Sequence, residues 1–428
     1  MLLRATLLGL ALGWPAVAGA DDCTQALLQR LGWRFELSAH GVVDVHGGPV
    51  CTRASLHQAQ AAGDLRVRLP DTLDGRQRRA LLQRLLGDPA TTCAYLFQVG
   101  AAARRATKAL AANPGYRFSG LQLGWIGFGV RGAAAQGWQR TRRLGRALQP
   151  AAGNSRALDA FYHGQVRSEC GVGRQVAQLA IQRELYGDTA FDHAFSRGEL
   201  SIGTFLSLHR TDSILLGRHA GELAGDGKAV RASALGRQAF MGAPGFITHA
   251  LGRETLDDLS NQAENFVVVD VGAPAAEALR THAGLAWYDE RNRQLWALSR
   301  QVPRRGIRFF ERLLVDRDPR LHASLTRAEA DAVQRMAQIL DDPFYRQFLV
   351  YVHPRGVKPI GYHIARLLDR NPRTPFVVEL TSSNLRTTLF RRWLQAQLAR
   401  CTATGVAGVL TSDSGPEGDR RRGPATQR

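Results

Sequence analysis

Residues 168–188 have the sequence SECGVGRQVAQLAIQRELYGD, and this stretch decides the fold because it sets a cysteine at the start of an amphipathic helix. Apolar residues recur at helical spacing from Val172 to Ala180, which predicts a helix over Gly171–Tyr186 that stops at Gly187. Cys170 stands just ahead of this helix, where the helix dipole and the unpaired backbone N–H groups favour a thiolate. Cys170 is therefore the candidate nucleophile.

The chain downstream of this helix predicts a small antiparallel sheet. Strand patterns cover Gly245–Ala250 and Phe266–Val271, and a hairpin is predicted from Gly284–Tyr288 to Gln294–Leu298. A helix leading into a small sheet is the plan of papain-like cysteine enzymes. We expect an α+β fold whose papain-like core packs the helix bearing Cys170 on this sheet.

A cysteine nucleophile needs a base, and the predicted sheet offers three candidates. These are His249, Glu264 at the start of the Phe266–Val271 strand, and His282 before the next strand. A carboxylate or imidazole on a strand facing the helix N-terminus takes the thiol proton and later activates the incoming nucleophile. The residues alone do not choose among the three.

Four sequence pieces carry a family resemblance. They are SEC at 168–170, YGDTAFDHAF at 186–195, NQAENFVVV at 261–269 and HAGLA at 282–286. Their order and spacing resemble the bacterial spore-coat type of protein-glutamine gamma-glutamyltransferase over residues 154–289, about a third of the chain. The most specific pieces are the Glu-Cys pair and the Glu-Asn before the apolar strand.

The resemblance implies a papain-like transglutaminase. Cys170 matches the family's nucleophile, Glu264 its principal general base, Glu169 its second carboxylate and His282 a histidine that follows the strand bearing the base. The implied reaction joins protein substrates through glutamine and lysine side chains, or deamidates glutamine, by way of a cysteine thioester. The family uses no calcium, other metal or cofactor.

The rest of the chain divides into regions by composition. Residues 1–20 have an apolar stretch and end in Ala18-Gly19-Ala20, which predicts a signal peptide and export to the periplasm or medium. A helical, disulfide-bearing region is predicted over 21–113, the catalytic domain over 114–300, a helical C-terminal region over 301–401, and a disordered tail over 402–428. No later window has the length of uninterrupted apolar sequence that a transmembrane segment needs.

Export sets the five cysteines in an oxidising compartment. Cys23, Cys51, Cys93 and Cys401 form two disulfides in one of three pairings, and Cys170 is the expected free thiol. This count leaves the pairing open.

The charge balance raises two further possibilities for binding partners. The chain has 56 Lys and Arg against 37 Asp and Glu, a net charge of +19, and residues 89–158 carry ten positive charges and no acid. Such a surface attracts anionic partners, of which an anionic envelope polymer is one. No aromatic stacking platform or motif indicates specific nucleic-acid binding. The Gly127–Gly132 match to a dinucleotide fingerprint lacks the acid that the ribose requires.

Two other hypotheses therefore stay open beside the transglutaminase. The first is a papain-like cysteine peptidase or amidase acting on cell-wall peptides, in which His282 is the base for Cys170 and Glu264 orients it. The second is a non-enzymatic, basic envelope-binding protein in which Cys170 is inert.

Overall fold

A computed structural model gives the fold of the chain. It describes residues 22–31, 33–37, 43–47, 67–69, 74–119, 130–141, 147–196, 198–203, 215, 237, 240–250, 262–282, 284–380 and 384–407. The predicted signal peptide, the strand pattern at 121–126 and most of the glycine-rich stretch at 127–132 lie outside these residues. Within them no helix is long and apolar enough to cross a membrane.

The first half of the described chain builds helices and three small sheets. Its elements are α1 (Asp22–Arg30), β1 (Trp33–Leu37), β2 (Val43–Gly47), β3 (Val67–Leu69), α2 (Gly75–Gly87), α3 (Pro89–Ala112), β4 (Tyr116–Phe118), β5 (Val130–Arg131), a 3₁₀ helix (Ala133–Gln136), β6 (Trp138–Arg140), β7 (Leu148–Pro150), α4 (Asn154–His163), β8 (Val166–Ser168), α5 (Cys170–Tyr186) and α6 (Asp188–Ala194). The N-terminal region predicted as helical also contains three short strands, β1, β2 and β3, which pair with one another. The alternating residues of β1 form a ladder with β2 rather than a helix.

The second half supplies the central sheet and most of the remaining helices. Its elements are β9 (Pro244–His249), β10 (Gln262–Val271), α7 (Ala273–Thr281), α8 (Leu285–Ser299), a π-helical turn (Glu311–Val315), α9 (Pro319–Ala323), α10 (Arg327–Leu340), α11 (Pro343–Gln347), β11 (Phe348–Val352), β12 (Gly356–Pro359), α12 (Ile360–Leu368), β13 (Phe376–Leu380), a second π-helical turn (Leu385–Leu389) and α13 (Phe390–Ala407). The five strands form one antiparallel sheet in the order β12-β11-β10-β9-β13. The α+β class is therefore confirmed.

Helices cover both faces of this sheet because the central strand β10 is apolar on both. Val267 and Val269 belong to the core formed with α3, α5 and α13, whereas Phe266 and Val268 belong to the core formed with α7, α8, α10 and α12. Alternate residues of a strand point to opposite faces, so successive residues from Phe266 to Val269 belong in turn to one core and to the other. α5 is buried over most of its length between the sheet and α3.

The predicted hairpin from Gly284–Tyr288 to Gln294–Leu298 is wrong. Both segments lie in the single helix α8. Leu285, Tyr288, Asn292 and Leu295 are buried in it at spacings of three and four residues, the period of a helix face. Each segment alone is an apolar run too short for its periodicity to separate strand from helix.

The C-terminal region is not the helical extension predicted for 301–401. It contributes β11, β12 and β13, three of the five strands of the central sheet. Part of the region predicted as helical is the strand β11, which begins directly after the short helix α11 and pairs with β10. The last helix continues to Ala407, past the predicted start of the tail at Thr402.

A disulfide joins the two ends of the described chain. Cys23 in α1 is bonded to Cys401 in α13, across 378 residues of sequence. Cys93 is also disulfide-bonded, Cys51 lies outside the described residues, and Cys170 is the free cysteine among those described. The expectation of a free thiol at Cys170 is therefore confirmed.

Candidate thiol site

The segment that carries Cys170 is fixed by short strands on its N-terminal side. β8 ends at Ser168 and pairs with β4 and β5, and α5 begins two residues later. The Tyr116 hydroxyl and the Ser168 hydroxyl are hydrogen-bonded at 2.8 Å. The strand end and the helix start thus hold Glu169 and Cys170 in a set position at one end of the central sheet.

Glu169 is the N-cap of α5. Its carboxylate accepts the backbone N–H of Gly171 at 2.5 Å and of Val172 at 2.7 Å, which satisfies two of the otherwise unpaired donors of the first turn. Burial raises the pKa of Glu169, against the pull of these two N–H groups. The charge of Glu169 acts on the adjacent Cys170 thiol. Glu169 is therefore a buried carboxylate directly before the cysteine in the chain, held by the first turn of α5.

Cys170 is half-buried, and its sulfur receives a hydrogen bond from a second residue. Asn265 Nδ2 donates to Cys170 Sγ at 3.6 Å. Burial and then the charge of Glu169 raise the pKa of the thiol to about 11, whereas the hydrogen bonds from Asn265 favour the thiolate. At neutral pH the group is a thiol, so chemistry at this sulfur begins with removal of its proton.

Glu264 and Asn265 are adjacent on β10, and their side chains point toward different helices. Asn265 points with Val267 toward α5 and contacts Cys170, whereas Glu264 points with Phe266 toward α12. The buried Glu264 carboxylate pairs with Arg366, and Arg370 Nη2 lies 3.8 Å from Glu264 Oε1. No direct Glu264–Cys170 hydrogen bond is found among the described contacts. Glu169 directly precedes Cys170 in the chain, whereas Glu264 is joined to the thiol site through its neighbour Asn265 and through Arg366 and Arg370.

Arg366 and Arg370 both interact electrostatically with Cys170. Burial lowers the pKa of Arg366 to about 10, and attraction to a Cys170 thiolate acts in the opposite direction. Burial lowers the pKa of Arg370 as well, again opposed by a thiolate at Cys170. A thiolate formed at this position therefore gains from two nearby guanidinium groups.

His282 and His249 are placed elsewhere. His282 caps the C-terminus of α7, and its ring stacks on Trp287 with centroids 3.7 Å apart and planes 2° apart. His249 ends β9, where its ring lies 5.0 Å from that of Phe376. Neither histidine has a described contact with Cys170. Glu264 is joined to the site through Arg366 and Arg370, and His249 lies close enough to Arg370 for the positive charge of Arg370 to lower the pKa of the histidine, after burial, which is the larger cause.

Sequence reasoning missed His353, which packs on the first turn of α5. Its Nε2–H donates to the Arg117 carbonyl at 3.0 Å, and its ring stacks on Tyr116 at 3.8 Å. Gly173 leaves room for it, since a Cβ there would stand 2.3 Å from His353 Cβ. Burial lowers the pKa of His353 to about 4, although the carbonyls of Arg117 and Ser168 favour its protonated form.

The other missed residues are Arg366, Arg370 and the role of Asn265. The two arginines belong to the C-terminal region, which the sequence does not connect with the central sheet, because the sequence pattern does not predict the strands that join this region to the sheet. The sequence does contain one indication that the two arginines act together: they are four residues apart, so a helix continued from α12 brings them to one face.

No group of three metal-ligating side chains occurs in the part of the chain that the structure describes. Comparison with protein-family models, with curated proteins and with solved structures finds no match to this chain. The functional conclusion therefore depends on the sequence pieces and on the site itself.

Proposed function

We propose that this protein is an exported protein-glutamine gamma-glutamyltransferase with Cys170 as nucleophile. One observation carries the proposal: the Asn265 amide contacts the Cys170 sulfur, although 95 residues separate the two in sequence. The Glu-Cys and Glu-Asn pieces are the most specific parts of the family resemblance. Their meeting at one sulfur supports their assignment to one active site.

The packing around α5 supports the papain-like part of the proposal. A buried helix presents its N-terminal cysteine to the central strand of an antiparallel sheet, as the papain-like plan requires. Helices on the second face of the sheet, including α12, extend that plan. The disulfide between α1 and α13 supports export, because such bonds persist in oxidising compartments.

The acyl-transfer steps follow from the residues at the sulfur. The Glu169 carboxylate takes the Cys170 proton, and the thiolate attacks the carboxamide carbon of a glutamine side chain. The C–N bond breaks, ammonia leaves with the proton returned by Glu169, and a thioester remains on Cys170. A lysine amine then attacks the thioester carbon and loses its proton to the Glu169 carboxylate, the C–S bond breaks as the isopeptide bond forms, and the released Cys170 thiolate takes the proton back from Glu169. Water in place of the amine gives glutamate by the same steps.

Different evidence supports Glu264 and Glu169 as the general base. The resemblance gives the principal role to Glu264, whereas the position of the buried Glu169 directly before Cys170 favours Glu169 for the first proton transfer. The described partners of the Glu264 carboxylate are Arg366 and Arg370, not the sulfur. Single Glu→Gln variants at the two positions separate these roles.

The test is incorporation of a fluorescent primary amine into casein, together with release of ammonia. Wild-type protein is expected to label casein, Cys170→Ala to lose labelling, and Glu169→Gln to reduce it by about 10²-fold or more. Glu290→Gln, an exposed glutamate paired with Arg293 on α8, is the matched control and keeps activity. Labelling that survives in Cys170→Ala contradicts the proposal.

The two rival hypotheses receive less support from the contacts. A peptidase or amidase with His282 as base needs that ring at the sulfur, and its described contacts are with aromatic rings instead. Binding of an anionic polymer needs unpaired arginines, yet Arg104 lies 3.8 Å from Asp270. Arg105 likewise pairs with Glu184 at 2.9 Å.

A further inference from the structure

Arg366 and Arg370 lie close enough to Cys170 to interact with a thiolate there, and Arg355 lies close to Arg370. Arg355 lies in the turn between β11 and β12, Arg366 on α12 and Arg370 just after it. We call these three residues the arginine cluster. Arg355 and Arg370 are close enough to repel each other, and Arg366 and Arg370 repel in the same way.

The two α12 arginines differ in what they do. Arg366 is buried and paired with Glu264, with 9% of its side chain exposed. Arg370 has 55% of its side chain exposed, stands 3.8 Å from the same carboxylate and donates from Nη1 to the Ala263 carbonyl at 3.5 Å. Arg366 is thus a fixed part of the site, while Arg370 presents its guanidinium to solvent beside it.

The acids around the cluster do not balance it. Glu264 is one carboxylate shared by two arginines. Asp369 also attracts Arg366, but its carboxylate accepts the backbone N–H groups of Phe310 at 2.8 Å and Glu311 at 3.2 Å. The three arginines of the cluster therefore have two acids near them, one of which is already engaged by backbone donors, so the cluster itself carries an excess of positive charge.

We propose that the arginine cluster selects acyl donors that carry a carboxylate next to the reactive glutamine, with Arg370 binding that carboxylate. This specificity rests on the proposed acyl transfer. A guanidinium binds a carboxylate through two parallel N–H donors, and a partly exposed one gives up less hydration energy than an ammonium would. The excess charge also raises the local concentration of acidic substrates.

The position of Arg370 fixes where the carboxylate must be. Its partners Ala263 and Glu264 directly precede Asn265, whose amide holds the Cys170 sulfur. A group bound on Arg370 therefore lies within one or two residues of a glutamine that reaches the sulfur. Distant acids on the same substrate do not reach this guanidinium.

The first test compares peptide donors with one glutamine flanked by Glu, by Gln or by Lys, using the full chain and ammonia release as readout. We expect kcat/KM for the Glu-flanked peptide to exceed that for its neutral counterpart by about tenfold. Arg370→Gln and Arg355→Gln are expected to shrink this ratio toward one, while Arg391→Gln, on the exposed face of α13, keeps it. Equal rates for the two peptides in wild type, or a ratio that Arg370→Gln leaves intact, overturns the proposal.

A second readout needs no turnover and so separates the two proposals. Cys170 is alkylated with anionic iodoacetate and with neutral iodoacetamide, and modification of the Cys170 peptide is followed by mass spectrometry. We expect the ratio of the two rates to fall about fivefold in Arg370→Gln at low salt and less at high salt. If this ratio falls while every peptide stays inert, the acyl-transfer function is wrong, and the anion-attracting thiol site stands. If the ratio does not change, Arg370 does not select anions at this sulfur.

Discussion

Replacing Glu169 by glutamine should make the Cys170 thiol more reactive and the enzyme less active at the same time. Glu169 does two opposing things at this sulfur. Burial is the largest cause that raises the thiol pKa to about 11, and the charge of Glu169 is the next. In the proposed mechanism the Glu169 carboxylate is also the acceptor for the thiol proton. Glutamine removes the charge and the proton acceptor together, while its amide oxygen still accepts a backbone N–H at the helix start.

The size of the effect follows from the fraction of thiolate. At pH 8 a thiol of pKa about 11 is ionised in roughly one molecule in a thousand, and each unit by which the pKa falls gives about tenfold more thiolate. Burial, the larger cause, is unchanged by the substitution. We therefore expect iodoacetamide to modify Cys170 faster in Glu169→Gln by between about threefold and thirtyfold at pH 8.

The assay is the pH–rate profile of Cys170 alkylation, measured by peptide mapping so that other thiols do not contribute. The midpoint of the profile should move to lower pH in Glu169→Gln and stay in place in the control Glu290→Gln. Amine incorporation should fall in the same variant. An unchanged midpoint, or faster alkylation together with undiminished turnover, would refute the role assigned to Glu169.

Three further effects are expected on stability. Arg366→Met leaves the buried Glu264 carboxylate with a partner removed, so it should cost about 3–5 kcal/mol in urea unfolding, and the double variant with Glu264→Leu should cost less than the sum of the single variants. His353 binds its proton more weakly in the folded state, with a pKa of about 4 against an ordinary 6.5, so stability is full above pH 6.5 and falls by on the order of 3 kcal/mol as pH drops to 4. His353→Gln should flatten this part of the pH–stability curve, and an unflattened curve contradicts the assignment. Removing the Cys23–Cys401 bond with a double Ser variant frees a 378-residue loop and should lower the unfolding free energy by up to about 5 kcal/mol, and a Tm equal to that of wild type would contradict this.

Hydrophobic periodicity predicts the bounds of a helix correctly where the apolar spacing and the end residues lie within that helix. α5 begins and ends within a residue of its predicted bounds, because the apolar spacing and the glycine at its end agree there. Cys170 at the start of α5 is the part of the site that follows directly from that spacing. The Glu-Asn piece before β10 added Asn265 to the same neighbourhood, although only Glu264 was given a role.

The missed parts depend on contacts between distant segments. β11 has the sequence FLVYV, which periodicity alone does not separate from a buried helix, and its identity is decided by pairing with β10 about 80 residues earlier. The sequence alone does not reveal this pairing, so it does not place His353, Arg366 or Arg370 near Cys170. The α8 error has the same origin, since two short apolar runs acquire their period only as one continuous helix.

The most direct measurement is trapping of the acyl-enzyme. Wild-type protein is mixed with a glutamine peptide in the absence of an acceptor amine, quenched in acid and digested, and the Cys170 fragment is weighed by mass spectrometry. We expect this fragment to carry the mass of the donor peptide less one ammonia, and to lose it on addition of an amine. An unmodified Cys170 fragment from a preparation that is releasing ammonia would contradict a thioester at this sulfur.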